Sequence, residues 1–139
     1  MDAAAGTLIW RFQTGGFIDT SSPSLSADGS IVYIGSYDKQ VWALYTATGA
    51  VAWNYTTQAS IESSPAVGPT GIIYFGSLDF NVYALNGTTG ALLWSYPTSS
   101  YVYSSPAVGT NGVVYVGSHG TSLRIPPNLV WPAIRRGNR

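Results

Sequence analysis

The sequence predicts an all-β chain, a partial β-propeller of about two full four-stranded antiparallel blades plus parts of two flanking blades. Three observations carry this. The hexapeptide SSPAVG stands at Ser63–Gly68 and again at Ser104–Gly109, with a cousin, SSPSLS, at Ser21–Ser26. The copies are evenly spaced: Pro23, Pro65 and Pro106 step by 42 and 41 residues, the Gly-Ser pairs at Gly35, Gly76 and Gly117 by 41 and 41, and Trp10, Trp53 and Trp94 by 43 and 41. A period of ~40–45 residues built from short strands is the mark of a propeller blade. Finally, the apolar runs at residues 72–75 (IIYF) and 82–85 (VYAL) have no polar side. A sheet with one wet face would alternate, so these strands are expected to be covered on both faces by neighbouring blades.

Each period divides into four strands. In the last copy, Ser104–Val108 reads as a short strand, residues 110–112 (TNG) as a tight turn and Val113–Gly117 as a second strand. One period earlier the pieces are Ile72–Gly76, Asn81–Leu85 and Ala91–Tyr96, the last two joined by NGTTG at 86–90, whose glycines are free to take positive φ. Asp28-Gly29, Thr48-Gly49 and PTG at 69–71 supply the other turns. The SSPAV segment reads as the innermost strand. Small residues suit the crowded axis, and proline at a strand start costs no ladder bond. Residues 1–118 are therefore read as repeats, in blade parts of about 1–18, 19–58, 59–99 and 100–118, and residues 119–139 as an atypical basic tail outside the repeat.

Composition fits a packed β chain: 45% of the 139 residues are hydrophobic, 14% aromatic and 9% charged. The formal charge is zero but unevenly placed. Up to Ser118 there are six acids against Arg11 and Lys39; beyond it stand Arg124, Arg135, Arg136 and Arg139 with no acid. The body has no basic patch for nucleic acid, and the arginines of the tail read as solvated. No apolar run is long enough to span a bilayer, and residues 1–5 do not read as a signal peptide. With no cysteine there is no disulfide, thiolate metal site or thiol nucleophile. The sequons at Asn54 and Asn86 read as a strand end and a turn.

One motif goes beyond architecture. It runs Ala43 through Thr48-Gly49 to Trp53, and Ala84 through Thr89-Gly90 to Trp94, with a clipped copy from Asp2 to Trp10. Flanked by Gly35–Leu44 and Gly76–Leu85, it resembles the tryptophan-docking motif A-x-D-x-x-T-G-x-x-x-W of the PQQ-like, quinoprotein-dehydrogenase-like propellers. These include enzymes that bind pyrroloquinoline quinone (PQQ) and scaffold relatives such as the outer-membrane assembly lipoprotein. The resemblance covers about residues 2–118. It implies that Trp10, Trp53 and Trp94 lie between blades, with the Thr-Gly turn fixing the hairpin. Asp2 alone matches the motif's aspartate; Tyr45 and Asn86 replace it elsewhere. After Ser118 the pattern stops, with Gly120 at the next loop-aspartate position of the Gly-Ser-x-Asp flank and Arg135 at the next tryptophan position. Relatives close rings of about eight blades and mostly act outside the cytoplasm. The chain is therefore read as a piece of a larger propeller, with self-assembly of several copies as the rival.

The residues offer no catalytic, cofactor-binding or metal-binding set. His119 is the single histidine. Asp38 and Asp79 are equivalent positions of successive copies and are expected to cap the turn after Gly-Ser. The family's enzymes hold PQQ with calcium, a catalytic aspartate and often a vicinal disulfide, and no calcium-ligand set is matched here. The functional expectation is a non-catalytic scaffold or protein-interaction segment whose partners are proteins or further blades of the same propeller. The alternative is part of a PQQ-dependent dehydrogenase. Thr20, Glu62 and Tyr103 precede each proline by three and differ between copies, as do Lys39 and Phe80. These are expected to face solvent or a ligand, and exposed Phe80 and Tyr101 would suit a carbohydrate.

Overall fold

A computed structural model describes residues 4–127, which form three antiparallel sheets and no helix. The first sheet orders β1 (Ser24–Leu25), β2 (Ile31–Gly35), β3 (Gln40–Tyr45) and β4 (Val51–Thr56). The second repeats it with β5 (Ala66–Val67), β6 (Ile72–Gly76), β7 (Asn81–Asn86) and β8 (Leu92–Pro97). The third has β9 (Ala107–Val108), β10 (Val114–Ser118) and β11 (Thr121–Ile125). This is the expected partial propeller. No helix of the described residues is long and apolar enough to cross a membrane.

Registers repeat as well. Tyr33 faces Ala43 and Gly35 faces Val41; one copy on, Tyr74 faces Ala84 and Gly76 faces Val82. A bulge sits at Ala43/Leu44 and again at Ala84/Leu85. The missing wet side has its explanation in two cores. Between the first and second sheets Tyr33, Val41 and Ala43 pack on Ile73, Phe75 and Leu85. Between the second and third, Tyr74, Val82 and Trp94 pack on Val114, Val116 and Ile125. The middle sheet is thus buried on both faces, each large apolar side chain contributing about 1.5–3 kcal/mol relative to exposure.

Two boundaries differ from the sequence reading. The innermost strands are two residues long, not five, because the Ser-Ser-Pro part bonds across blades rather than within one. The third sheet also runs past Ser118, the expected end of the repeat, to Ile125. The reason is a hairpin one residue shorter than its counterparts: Gly117 faces Ser122, with four residues between them where Gly35 and Val41 have five. Gly120 takes φ +87° at this turn. Counting by the period therefore misses a strand that cross-strand pairing retains. Asp2 and residues 128–139, including the arginines at 135, 136 and 139, lie outside the described residues.

Candidate interaction site

Three sets of polar contacts, each recurring at the period, join the blades. Nearest the axis are the Ser-Ser-Pro segments. The Ser22 N–H donates to Ser64 Oγ (2.7 Å) and the Ser64 N–H to Ser105 Oγ (2.9 Å). Ser21 Oγ donates to the Ser63 carbonyl (3.2 Å), Thr20 Oγ1 to the Glu62 carbonyl (2.9 Å) and Ser24 Oγ to the Pro65 carbonyl. Serine is required because its hydroxyl is short enough to satisfy the backbone of the adjacent copy where no ladder partner exists. This accounts for the repetition of the hexapeptide.

In the second set, Asp38 Oδ2 accepts from the Gly15 N–H (2.9 Å) and Trp42 Nε1 (3.0 Å), while Oδ1 accepts from the Gln40 N–H (3.0 Å). Asp79 repeats this with the Gln58 N–H (3.0 Å), the Tyr83 hydroxyl (2.6 Å) and the Asn81 N–H (3.1 Å). Each carboxylate ties the loop leaving one blade to the hairpin of the next. Burial, and then the hydrogen bond to Asp79, push the Tyr83 phenol well above its ordinary value. In the third copy Gly120 replaces the aspartate, and the buried Ser118 Oγ has no partner among the described residues. The counterpart hydroxyls, Ser36 and Ser77, both reach the carbonyls of the incoming loop.

The third set lies at the rim. Trp10 Nε1 donates to the Thr46 carbonyl (2.7 Å), and Trp53 Nε1 to the Gly87 carbonyl (2.9 Å). Each indole lies under a turn glycine with positive φ, Gly49 or Gly90, where an added Cβ would come within 2.7 and 2.6 Å of the ring. Gly87 carries a second donor, the Tyr33 hydroxyl at 2.9 Å. Trp94 is buried against Tyr74, their centroids 5.8 Å apart.

The positions that vary between copies are not buried between blades. Thr20 and Tyr103 are exposed and Glu62 is half-buried. Phe80 (41% exposed) meets Tyr101 edge-on at 4.9 Å, and Tyr101 meets Tyr103 at 5.7 Å. Lys39 and Phe80 hold positive φ, 71° and 72°, at equivalent turn positions. Phe17, Ile18, Asp19 and Tyr37 line an open cleft of about 400 Å³. The Glu62 carboxylate, hydrogen-bonded to the Tyr37 phenol, pushes that phenol upward. Sequence reasoning found the variable positions but missed the Ser-Ser cross-blade bonds and the role of Asp38 and Asp79 in receiving the preceding loop. The 41-residue equivalence of those two acids was the available signal.

A family model described as outer membrane protein assembly factor BamB matches residues 1–125. The chain belongs to this family of PQQ-like propeller repeats. Among solved structures it is similar in fold to BamB from Moraxella catarrhalis (TM-score 0.68, 22% identity), covering 81% of this chain and 34% of that one. It is also similar to a europium-containing methanol dehydrogenase (TM-score 0.70, 25% identity), covering 82% of this chain and 23% of that one. Protein Rv3035 of Mycobacterium tuberculosis (strain ATCC 25618 / H37Rv) is 41% identical over 51 residues. That match takes in 37% of this chain and 12% of the relative. The chain thus spans a minor part of the length of each of these three proteins.

The family's enzymes imply PQQ and a metal, and the described residues do not fit that pair. They contain no group of three His, Cys, Asp or Glu side chains able to hold an ion. Asp38 and Asp79 already accept three hydrogen bonds or more each, from the preceding loop and from their own hairpin.

Proposed function

We propose that this chain is a non-catalytic blade segment, serving as a scaffold and protein-interaction module within a propeller larger than itself. The observation that supports this most is the use of its polar side chains. Serines, aspartates and tryptophan N–H groups recur at the period and are committed to holding blades together. The groups free of that duty, Phe80, Tyr101 and Tyr103, form an exposed aromatic patch. Rings of this kind supply large contact area at small conformational cost, which suits a protein partner. The likeness to BamB, named as an assembly factor, supports the same reading.

The alternative, a segment of a PQQ-dependent dehydrogenase, draws on the likeness to methanol dehydrogenase. Titrating the chain with PQQ in the presence of Ca²⁺ or Eu³⁺, followed by calorimetry, separates the two. No saturable heat is expected. Stoichiometric, metal-dependent quinone binding would overturn the scaffold reading.

A further inference from the structure

The two ends of the described chain are complementary. Residues 7–13 lie against the first sheet through Trp10 and Phe12 and, among the described residues, pair with no strand. Trp10 nonetheless docks as Trp53 does, and Phe12 meets Trp42 at 5.0 Å as Tyr55 meets Tyr83 at 5.8 Å. The segment therefore occupies the place of an outermost blade strand whose three inner strands are not among the described residues. The third sheet has the reverse composition: β9, β10 and β11 are present, and among the described residues β11 has no strand on its outer side.

Two further features match. Ile61 and Val102, the side chains following each outer strand, are 1% and 0% exposed and seat against Gly35 and Gly76 of that strand's own sheet. Their counterpart Ile18 is 45% exposed. Among the described residues the atoms nearest the counterpart glycine, Gly117, belong to Ser104 and the Thr121 carbonyl, and no apolar side chain seats on it. Likewise the Gly87 carbonyl takes two donors, Tyr33 and Trp53, whereas its counterpart Thr46 takes Trp10. The counterpart of Tyr33 is Tyr115, 46% exposed on the open face of the third sheet.

We propose that two copies of this chain join head to tail, residues 7–13 of one completing the third sheet of the other. Ile18 seats on Gly117, and the Tyr115 hydroxyl donates to the Thr46 carbonyl. This deepens the scaffold reading and rests on it, since it extends the blade joints seen inside the chain. The joint is weaker than the internal ones. Ser122 and Arg124 stand where Val82 and Ala84 are buried, and desolvating a guanidinium costs stability. Repeating heterologous contacts of this kind close a ring or extend a filament.

The test is native mass by light scattering over a range of concentrations, with far-UV circular dichroism on each sample. The wild-type chain is expected to exceed one copy in mass, increasingly with concentration. Ile18→Asp and Gly117→Val each destroy one end and leave the other. Each alone is expected to stay at one copy with an unchanged spectrum. Their mixture is expected to reach two copies and stop, because one intact head meets one intact tail. Arg124→Ala is expected to shift association to lower concentration. A wild-type chain of one copy at every concentration, association surviving in either variant alone, or a mixture that fails to pair would each overturn the proposal. A folded single copy that still binds no quinone would leave the scaffold reading standing, so the two failures are distinguishable.

Discussion

The Gly87 carbonyl provides the sharpest test of how the blades are held. It lies buried at the turn of the second sheet and accepts two hydrogen bonds from the first, from the Tyr33 hydroxyl and Trp53 Nε1, both at 2.9 Å. Tyr33→Phe removes one donor and leaves the other, so the loss is expected to be about 1 kcal/mol. Trp53→Phe removes the second donor together with part of the indole stacked under Gly90, and about 2 kcal/mol is expected. In the double variant the carbonyl is buried with neither side-chain donor. Leaving a buried polar group unsatisfied costs about 1–3 kcal/mol, so the double loss is expected to exceed the sum of the singles by about 1 kcal/mol. The packing loss at Trp53 is the same with or without the Tyr33 hydroxyl, so it cancels in the cycle. The measurement is urea unfolding of the four proteins, read as midpoints at constant slope. Additivity within ~0.5 kcal/mol would refute the shared-acceptor argument. Trp10→Phe is the control: its acceptor Thr46 is only half-buried, so water can replace the lost donor and a smaller loss is expected.

Other perturbations follow from single contacts. Gly76→Val would drive a side chain into Val102, whose Cγ1 lies 2.2 Å from where the first added carbon must sit, and a loss of about 3 kcal/mol or a failure to fold is expected in a thermal melt. Lys39→Gly relieves a left-handed backbone (φ 71°) at an exposed turn and should stabilise by about 1 kcal/mol; Phe80→Gly relieves the same strain but loses the Tyr101 contact, so its midpoint should scarcely move. The Ser26 hydroxyl, then the Ser30 N–H and hydroxyl, lower Asp28 to about 2 from 3.8. Its folded-state value is depressed, so its contribution is present above about pH 4 and is lost as pH falls toward 2; Asp28→Asn should remove that part of the acid limb of a stability profile.

Fold class, blade order and the pairing within the two complete sheets were legible because they depend on periodicity. Side chains at equivalent positions meet equivalent neighbours, so a spacing of 41 carries geometry. What was not legible depends on departures from that spacing. Deleting one residue in the hairpin at His119-Gly120 moves every later residue off the count, yet Gly117 still pairs with β11 and the sheet forms. The Ser-Ser-Pro segments misled differently. Their β-like composition suggested a strand, but their backbone donors find serine hydroxyls a whole copy away. No local pattern encodes a partner at that distance, and only the repeat itself makes the contact inevitable. The candidate site divides the same way: exposure at Thr20 and Tyr103 was legible from variation between copies, while the three-ring contact of Phe80, Tyr101 and Tyr103 required the fold.

The aspartates show how a repeat can lose a contact without losing its blade. In the first two copies the carboxylate at the hairpin tip receives the loop of the preceding blade and one aromatic donor from its own third strand. The third copy has Gly120 there, a shorter hairpin, and Leu123 where Trp42 and Tyr83 stand. Carboxylate and polar aromatic disappear together, which is the arrangement physics favours, since either alone would leave a partly buried group unpaired. Ser118 does not follow: among the described residues its buried hydroxyl has no partner, although the Tyr101 carbonyl still accepts from the His119 N–H as Phe17 and Ser60 accept from the N–H groups of Tyr37 and Leu78. Apolar contact of Val114, Val116 and Ile125 with the second sheet is what holds the third sheet in place. The third joint is therefore the one most dependent on hydrophobic burial and least on directed hydrogen bonds. It is the joint expected to open first in denaturant, with amides of β10 and β11 exchanging before those of β6 and β7.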